Sequence, residues 1–277
     1  MKKLWSLYLT KEKILLIFSI FVLMNICTYL VYSKSIYSQP GYFEAFPKAG
    51  LEFFYYHYCI GLNQFLFILM MLLVPNLIGY DFLNFHQGHL SHYIEIRLSK
   101  KTYYHYTFIM NMIMTFITVL ILEILNLLVI HIFYAPILFH TFDYPDLYYT
   151  ATQLLSKNEI VSLICFIILT ALGYSLVSSL LFSMQVIISN KYIYRCFGVI
   201  FGILLVLLPA ILQSFIPIPN AAFILQINNL VALGIENVRE NPFGFSNWML
   251  YFVCFLIYSI ISYLTFQALL KWRERYD

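Results

Sequence analysis

The sequence predicts an all-α, polytopic membrane protein with six transmembrane helices and with its N and C termini in the cytoplasm. Three observations predict this class: 62% of the 277 residues are hydrophobic, only 10% are charged, and the mean hydropathy is +0.81. Such a chain has too few polar groups to cover a water-soluble globule. Its apolar residues also fall in six runs, each long enough to cross about 30 Å of hydrocarbon as a helix.

Residues 1–13 are predicted to form an amphipathic helix that lies in the membrane interface. Met1, Leu4, Trp5 and Tyr8 share one helical face, while lysines before and after them can reach anionic headgroups. The alternative is a frayed basic terminus that only sets the orientation of the chain.

Residues 14–277 are predicted to form a single transmembrane domain. The six predicted spans are residues 14–32, 58–80, 107–133, 160–183, 196–215 and 248–270. The first run has no small-residue cleavage site after it, so we expect it to span the bilayer and to remain in the mature chain.

The distribution of basic residues predicts the orientation. With the N terminus inside, 12 of the 16 Lys and Arg residues fall on the cytoplasmic side, in agreement with the positive-inside rule. These are Lys2, Lys3, Lys11, Lys13, Arg97, Lys100, Lys101, Lys191, Arg195, Lys271, Arg273 and Arg275.

Two connections are predicted to have special structure. The polar stretch of residues 81–105, between spans two and three, is predicted to be a cytoplasmic hairpin that docks a soluble partner. The fifth apolar run carries no charge between Arg195 and Glu236, but Pro209, Pro217 and Pro219 interrupt it and exclude a continuous helix. Residues 216–234 are therefore predicted to form a re-entrant or interfacial segment on the outer side.

No metal site or disulfide framework is predicted. His86, His89 and His92 are spaced three apart within the hairpin, but helical residues six apart lie about 9 Å apart along the axis and do not converge on an ion. The five cysteines show no C-x-x-C spacing.

The third predicted span carries a polar stripe with the one carboxylate inside a span, Glu123. Its other members, at spacings near 3.6 residues, are Asn111, Thr115, Thr118 and Asn126. Such groups must face protein or water. They line a transport path or proton relay, or they make interhelical hydrogen bonds with Glu123 in its protonated form; the sequence leaves both alternatives open.

Small residues predict close helix packing. Gly198 and Gly202 form a G-x-x-x-G pair at the start of span five, which serves either a dimer interface or packing within the chain. A ladder of small residues follows span four, comprising Ala171, Ser175, Ser179 and Ser183.

No motif of a soluble or intramembrane enzyme occurs in the sequence, which has no G-x-x-x-x-G-K-[ST], H-E-x-x-H or G-x-S-x-G. No nucleotide site is therefore predicted in this chain, and it is not predicted to be an enzyme. No feature predicts a nucleic-acid partner.

The order of features resembles the membrane-spanning permease subunit of ABC-2 type (type V exporter) transporters. That family has an interface helix, six spans, a cytoplasmic coupling helix between spans two and three, re-entrant helices between spans five and six, and a short basic tail. The hairpin matches in Asp81, Gln87-Gly88-His89 and the basic ending from Arg97 to Lys101, and departs in lacking the proline and the Gly-Thr of the family pattern.

The resemblance implies a dimeric permease driven by separate subunits. Its partners would be two copies of an ABC ATP-binding subunit, which hold ATP and Mg, a second permease subunit that is identical or homologous, and membrane lipids. This chain itself would hold no cofactor. The residues implied in coupling to the ATPase are Asp81, Phe85, Gly88, His89, Tyr93, Arg97 and Lys101.

The expected function is export or clearance of an amphipathic substrate such as a peptide, as in antimicrobial peptide export or immunity, at the bacterial plasma membrane. The content of 24 Tyr and 26 Phe suits such a passenger better than a small polar solute. The alternative is a non-transport membrane protein that acts by binding alone, as an immunity or assembly factor.

Overall fold

The structure is a computed structural model that describes residues 11–46, 49–56, 58, 70, 73–74, 99–139, 155–188, 190–215, 221–233 and 244–276. Within these ranges the regular structure is helical and no strand occurs, which confirms the predicted all-α class. The α-helices are α1 (Lys11–Lys34), α2 (Tyr42–Ala45), α3 (Ala49–Tyr56), α4 (Lys100–Phe133), α5 (Glu159–Met184), α6 (Lys191–Phe215), α7 (Ala221–Ile224), α8 (Asn228–Val231) and α9 (Asn247–Tyr276).

Four of the described helices are long and apolar enough to cross a membrane, which indicates a membrane protein. They are α1, α4, α5 and α9, and they coincide with predicted spans one, three, four and six. Predicted span two, residues 58–80, lies almost entirely outside the described residues. Helix α6, at predicted span five, contributes a shorter apolar stretch, Tyr192–Leu208. Six spans and cytoplasmic termini therefore stay predictions.

Helix α4 shows why a single helix can carry both a lipid-compatible face and a polar stripe. Exposed apolar side chains recur every three or four residues along it, at Ile109, Ile113, Ile117, Ile121, Ile124, Leu128 and Ile132. The buried face carries Val119 and Leu122 together with the predicted polar stripe. This 3.6-residue periodicity places the polar groups against protein and the isoleucines on the exposed, lipid-compatible face.

Helix α4 begins at Lys100, seven residues before the predicted start of span three. Its 34 residues make a helix about 51 Å long, well beyond the hydrocarbon thickness, so its first turns extend outside the apolar layer. Ser99 starts the helix, because its carbonyl oxygen accepts a 3.0 Å hydrogen bond from the Tyr103 amide. Residues 100–105 of the predicted hairpin are thus part of α4.

The chain divides into two compact units. Unit 1 comprises residues 1–70, 120–169 and 232–247, and unit 2 comprises residues 71–119, 170–231 and 248–277. Helices α4 and α5 each contribute residues to both units. Of the predicted interface helix, residues 11–13 begin α1, and residues 1–10 lie outside the described part of the chain.

Unit 1 contains an aromatic cluster between the end of α1, helix α3 and the end of α4. The ring centroid of Tyr32 lies 4.9 Å from that of Tyr134 and 6.0 Å from that of Phe53. Burial, with the neighbouring hydroxyls of Tyr29 and Tyr32, raises the pKa of Tyr134. At Gly50 the backbone of α3 approaches that of residues 135–136 so closely that no side chain would fit.

Unit 2 has its core where the start of α4, the end of α5 and the end of α9 meet. The buried members of this core are Tyr103, Tyr104, Phe182, Val186, Phe266 and Leu270. Phe108 packs on them, with its ring centroid 4.5 Å from that of Phe266. Helix α5 ends at Met184, and Asn190 begins α6 by accepting a 2.9 Å hydrogen bond from the Tyr192 amide through Oδ1.

The run that contains three prolines is helical as far as residue 215, which is the predicted end of span five. Helix α6 continues through residue 209 and ends at Phe215, two residues before Pro217, so the prediction that Pro209 interrupts the run is wrong. A proline inside an apolar helix is accommodated when neighbouring groups satisfy the freed carbonyl. In the predicted re-entrant segment, residues 221–233 contain the one-turn helices α7 and α8, while residues 216–220 and 234 lie outside the described residues.

Candidate functional site

Most of the predicted coupling residues lie outside the described residues. These are Asp81, Phe85, Gly88, His89, Tyr93 and Arg97. Lys101 is described and is exposed in the first turn of α4. The histidine triplet of the hairpin also lies outside the described residues, and among the residues that the structure does describe no three His, Cys, Asp or Glu side chains form a metal-ligating group.

The buried carboxylate of the polar stripe is the centre of the candidate site. Glu123 is fully buried in unit 1, and its Oε2 accepts a hydrogen bond from the Tyr58 hydroxyl. Its Oε1 has no hydrogen-bond partner among the described residues. A carboxylate held in this way can accept a further donor or a positive charge.

The orientation of Tyr58 is fixed by aromatic packing in the same unit. Its ring lies edge-on to the ring of Phe166 on α5, with the centroids 5.2 Å apart, and edge-on to Phe54 at 5.9 Å. Tyr58 is 1% exposed. Because a ring packed on two sides has little freedom about its side-chain torsions, the hydroxyl stays directed at Glu123.

One turn beyond Glu123, Asn126 makes the second polar contact of unit 1. Its Oδ1 lies 3.3 Å from the Thr28 hydroxyl oxygen on α1, whereas its Nδ2 has no partner among the described residues. Thr28 also donates to the Met24 carbonyl oxygen at 2.9 Å. This contact joins α1 to α4 through polar groups that are both buried.

The remaining stripe residues lie in unit 2, where they bind α4 to α5. Asn111 Nδ2 donates a 2.9 Å hydrogen bond to the Ser178 hydroxyl oxygen, and Thr115 Oγ1 lies 2.9 Å from the same oxygen. Thr118 bonds within its own helix, to the Met114 carbonyl oxygen at 2.8 Å. All of the stripe residues are buried, so the structure places the stripe against protein.

The basic ends of several helices lie together at one end of unit 2. His105 near the start of α4 is hydrogen-bonded to Gln267 of α9, with 2.9 Å between the two Nε2 atoms. Arg273 of α9 reaches the α5–α6 connection, where Nη1 donates to the Val186 carbonyl oxygen at 2.9 Å. The exposed cations at this end are Lys101, Arg195, Lys271 and Arg275. These residues belong to segments that the basic-residue distribution predicts to share one side of the membrane.

The short helices α7 and α8 pack within unit 2. Tyr258 of α9 donates a 2.7 Å hydrogen bond to the Leu225 carbonyl oxygen, and Asn229 Nδ2 donates to the Phe223 carbonyl oxygen at 2.7 Å. Gly173 of α5 lies so close to the Leu230 carbonyl that a Cβ there would overlap it. The non-helical backbone of this segment is therefore covered by neighbouring helices, as an apolar environment requires.

Both glycines of the G-x-x-x-G pair, Gly198 and Gly202, are buried within the single chain. Burial inside one chain favours intrachain packing over dimer packing. The small-residue ladder of α5 is likewise buried, and Ser179 contacts Ser262 of α9 with 2.6 Å between the hydroxyl oxygens.

Three partners were not predicted from the sequence: Tyr58 for Glu123, Ser178 for Asn111, and Val186 for Arg273. Ser178 lies next to the predicted small-residue ladder, which is the one sequence signal that points to it. Tyr58 stands in the aromatic run F-F-Y-Y-H-Y, where nothing distinguishes it from its neighbours.

The described residues define an all-helical membrane protein with buried polar groups on α4. Comparison of the chain with protein-family models, with curated proteins and with solved structures found no match.

Proposed function

We propose that this chain is the membrane-spanning permease subunit of an ATP-driven transporter of the ABC-2 type. The observation that supports the proposal best is the segment of residues 221–233. It forms two one-turn helices between α6 and α9, and residues 229–233 are buried. Such irregular, covered backbone between the last two long helices is what the resemblance implies for re-entrant helices.

The basic end of unit 2 also supports the proposal. Helix α4 begins directly after the predicted coupling hairpin, and its first turns pack against the ends of α5 and α9. A displacement of the hairpin by an ATPase would therefore reach three long helices through Tyr104, Val186 and Arg273. Rigid packing of this kind is a physical route for coupling, since packed cores move as units.

The proposed passenger is amphipathic, with a peptide as the leading class. Its energy would come from ATP and Mg bound in two copies of a partner subunit, and a second permease copy would complete the transporter. The passenger class follows from the family resemblance and from the aromatic content of the chain.

The proposal is tested by purifying the tagged full-length chain from its native membranes and identifying what accompanies it. Gly88→Trp, and separately the double charge reversal Arg97→Glu with Lys101→Glu, should abolish co-purification of an ATP-binding subunit and substrate-stimulated ATP hydrolysis. Both variants should insert normally. Lys157→Glu, an exposed charge reversal on the predicted outer side, is the matched control and should retain the partner. If the wild type carries no ATP-binding subunit, or one that is indifferent to both hairpin changes, the chain acts by binding alone.

A further inference from the structure

The buried carboxylate of Glu123 has hydrogen-bonding capacity that the described residues leave unused. Its exposed fraction is 0%, and a single hydroxyl, that of Tyr58, donates to it. An ionised carboxylate offers about four acceptor sites, and burial of unsatisfied charge in hydrocarbon costs several kcal/mol. Oε1 therefore needs a further partner.

Among the described residues, no Lys, Arg or His forms an ion pair or hydrogen bond with Glu123, and Tyr58 is the one titratable side chain in contact with it. On α1 and α4 the neighbouring polar groups, Thr28 and Asn126, are neutral and bond to each other. Among the described residues nothing neutralises the Glu123 carboxylate, so Oε1 is open to a species that brings a positive charge.

The geometry favours a proton over a metal ion. Sodium or a divalent ion takes several oxygen ligands. Of the polar atoms of Glu123 and Asn126 that have no partner among the described residues, Oε1 is an oxygen, whereas Asn126 Nδ2 is a nitrogen donor that repels cations. A proton needs a single oxygen.

We propose that Glu123 is a reversible proton-binding site within the membrane-spanning part of the protein. The proton adds to Oε1, no other covalent bond changes, and Tyr58 keeps its own proton while it donates to Oε2. Release returns the proton to water and leaves Tyr58 as the one donor to the carboxylate among the described residues. The site does not depend on an ATPase, so it stands or fails separately from the permease proposal.

Proton binding would alter contacts in unit 1. Tyr58 follows α3 in the chain and packs on Phe166 of α5. A change in its hydrogen bond to Glu123 of α4 therefore alters contacts of α3, α4 and α5. The neutral and ionised forms of Glu123 therefore favour different packing of the Tyr58 ring, which links proton binding to local conformation.

The test uses dicyclohexylcarbodiimide, a lipid-soluble reagent that modifies carboxyl groups in their protonated form. The full-length chain in lipid nanodiscs is treated across a series from about pH 5 to about pH 9, and the modified residue is identified by mass spectrometry. Glu123 should be modified, and the extent should fall by at least about tenfold as the pH rises. At constant pH, replacing choline chloride by sodium chloride should change nothing.

Variants separate proton binding from a purely structural role. Tyr58→Phe removes the donor that stabilises the ionised form, so modification of Glu123 should extend to higher pH. Glu159→Gln, at a second buried carboxyl, should leave the modification of Glu123 unchanged. Glu123→Gln should lose the modification, and the infrared band of a protonated carboxyl should disappear with it.

Two results would overturn the proposal. Protection of Glu123 by sodium at constant pH would assign the site to a metal ion. Absence of modification, together with identical carboxyl infrared spectra of the wild type and Glu123→Gln at every pH, would make Glu123 a fixed structural group.

Discussion

The guanidinium group of Arg273 donates a 2.9 Å hydrogen bond to the main-chain carbonyl oxygen of Val186 and lies 5.5 Å from the ring centroid of Tyr104. This one side chain, near the end of α9, thus contacts both the connection that follows α5 and the start of α4. Arg275, two residues further along α9, is exposed. The pair offers a comparison of a packed cation with a solvated one.

Arg273→Ala should lower the free energy of unfolding by about 1–3 kcal/mol, because the Val186 carbonyl loses a charged donor and the Tyr104 ring loses its cation. The free energy of unfolding of Arg273→Lys should lie between those of the wild type and Arg273→Ala, because an ammonium group lacks the planar guanidinium that makes both contacts. The measurement is denaturant unfolding of the purified protein in mixed micelles. Arg275→Ala is the control, and an equal loss in that variant would refute a specific role for Arg273.

Hydropathy predicted the long helices well because it reports the length of chain that matches the hydrocarbon layer. Predicted spans one and four differ by at most three residues from α1 and α5 at each end. The errors are larger for α4 and α9, which extend past the predicted spans, 107–133 and 248–270, into polar sequence. A helix continues in water wherever capping and packing stabilise it, and an apolar window does not detect that part.

The candidate site was predicted only in part, for a different physical reason. The 3.6-residue spacing of the polar residues identified the buried stripe of α4, because residues at this spacing lie on the same face of a helix. The partners depend on tertiary packing. Tyr58 meets Glu123 because Phe166 of another helix orients its ring, and no local pattern encodes that contact. Arg273 likewise bonds a carbonyl 87 residues away.

Ser178 and Ser183 give a further prediction, because both are fully buried on α5 but bond differently. Ser178 bonds to Asn111 and Thr115 of α4, whereas Ser183 bonds to the Ser179 carbonyl oxygen in its own helix. Ser178→Ala should cost about 0.6–1.7 kcal/mol, the range of hydrogen bonds between membrane helices. Ser183→Ala should cost less. A double-mutant cycle of Ser178→Ala with Asn111→Ala should show a coupling energy, and strict additivity would contradict the interhelical bond.

The next prediction concerns Gly173 of α5, where the segment between α6 and α9 packs too closely to leave room for a side chain. Gly173→Ala places a methyl group against the Leu230 carbonyl, where backbone must move to make room, so unfolding should become easier by about 1–3 kcal/mol. Val161→Ala, at an exposed position of the same helix, should have a small effect. Equal unfolding midpoints for Gly173→Ala and the wild type would show that residues 221–233 do not pack on α5.

The orientation of the chain is the last prediction, and it rests on the 12 basic residues placed inside. In a background without the five native cysteines, single cysteines at Ser38 and Asn237 should react with a membrane-impermeant maleimide in intact cells. Cysteines at Gln87 and at Lys271 should react only after the membrane is permeabilised.

The structure makes this test more specific. Lys271 lies at the end of α9, where Arg273 contacts the α5–α6 connection and the start of α4. Positions 101 and 271 must therefore share one accessibility. Reaction of either position from outside would place the start of α4 and the end of α9 on the outer side of the membrane. The predicted coupling hairpin, which directly precedes α4, would then be out of reach of a cytoplasmic ATPase.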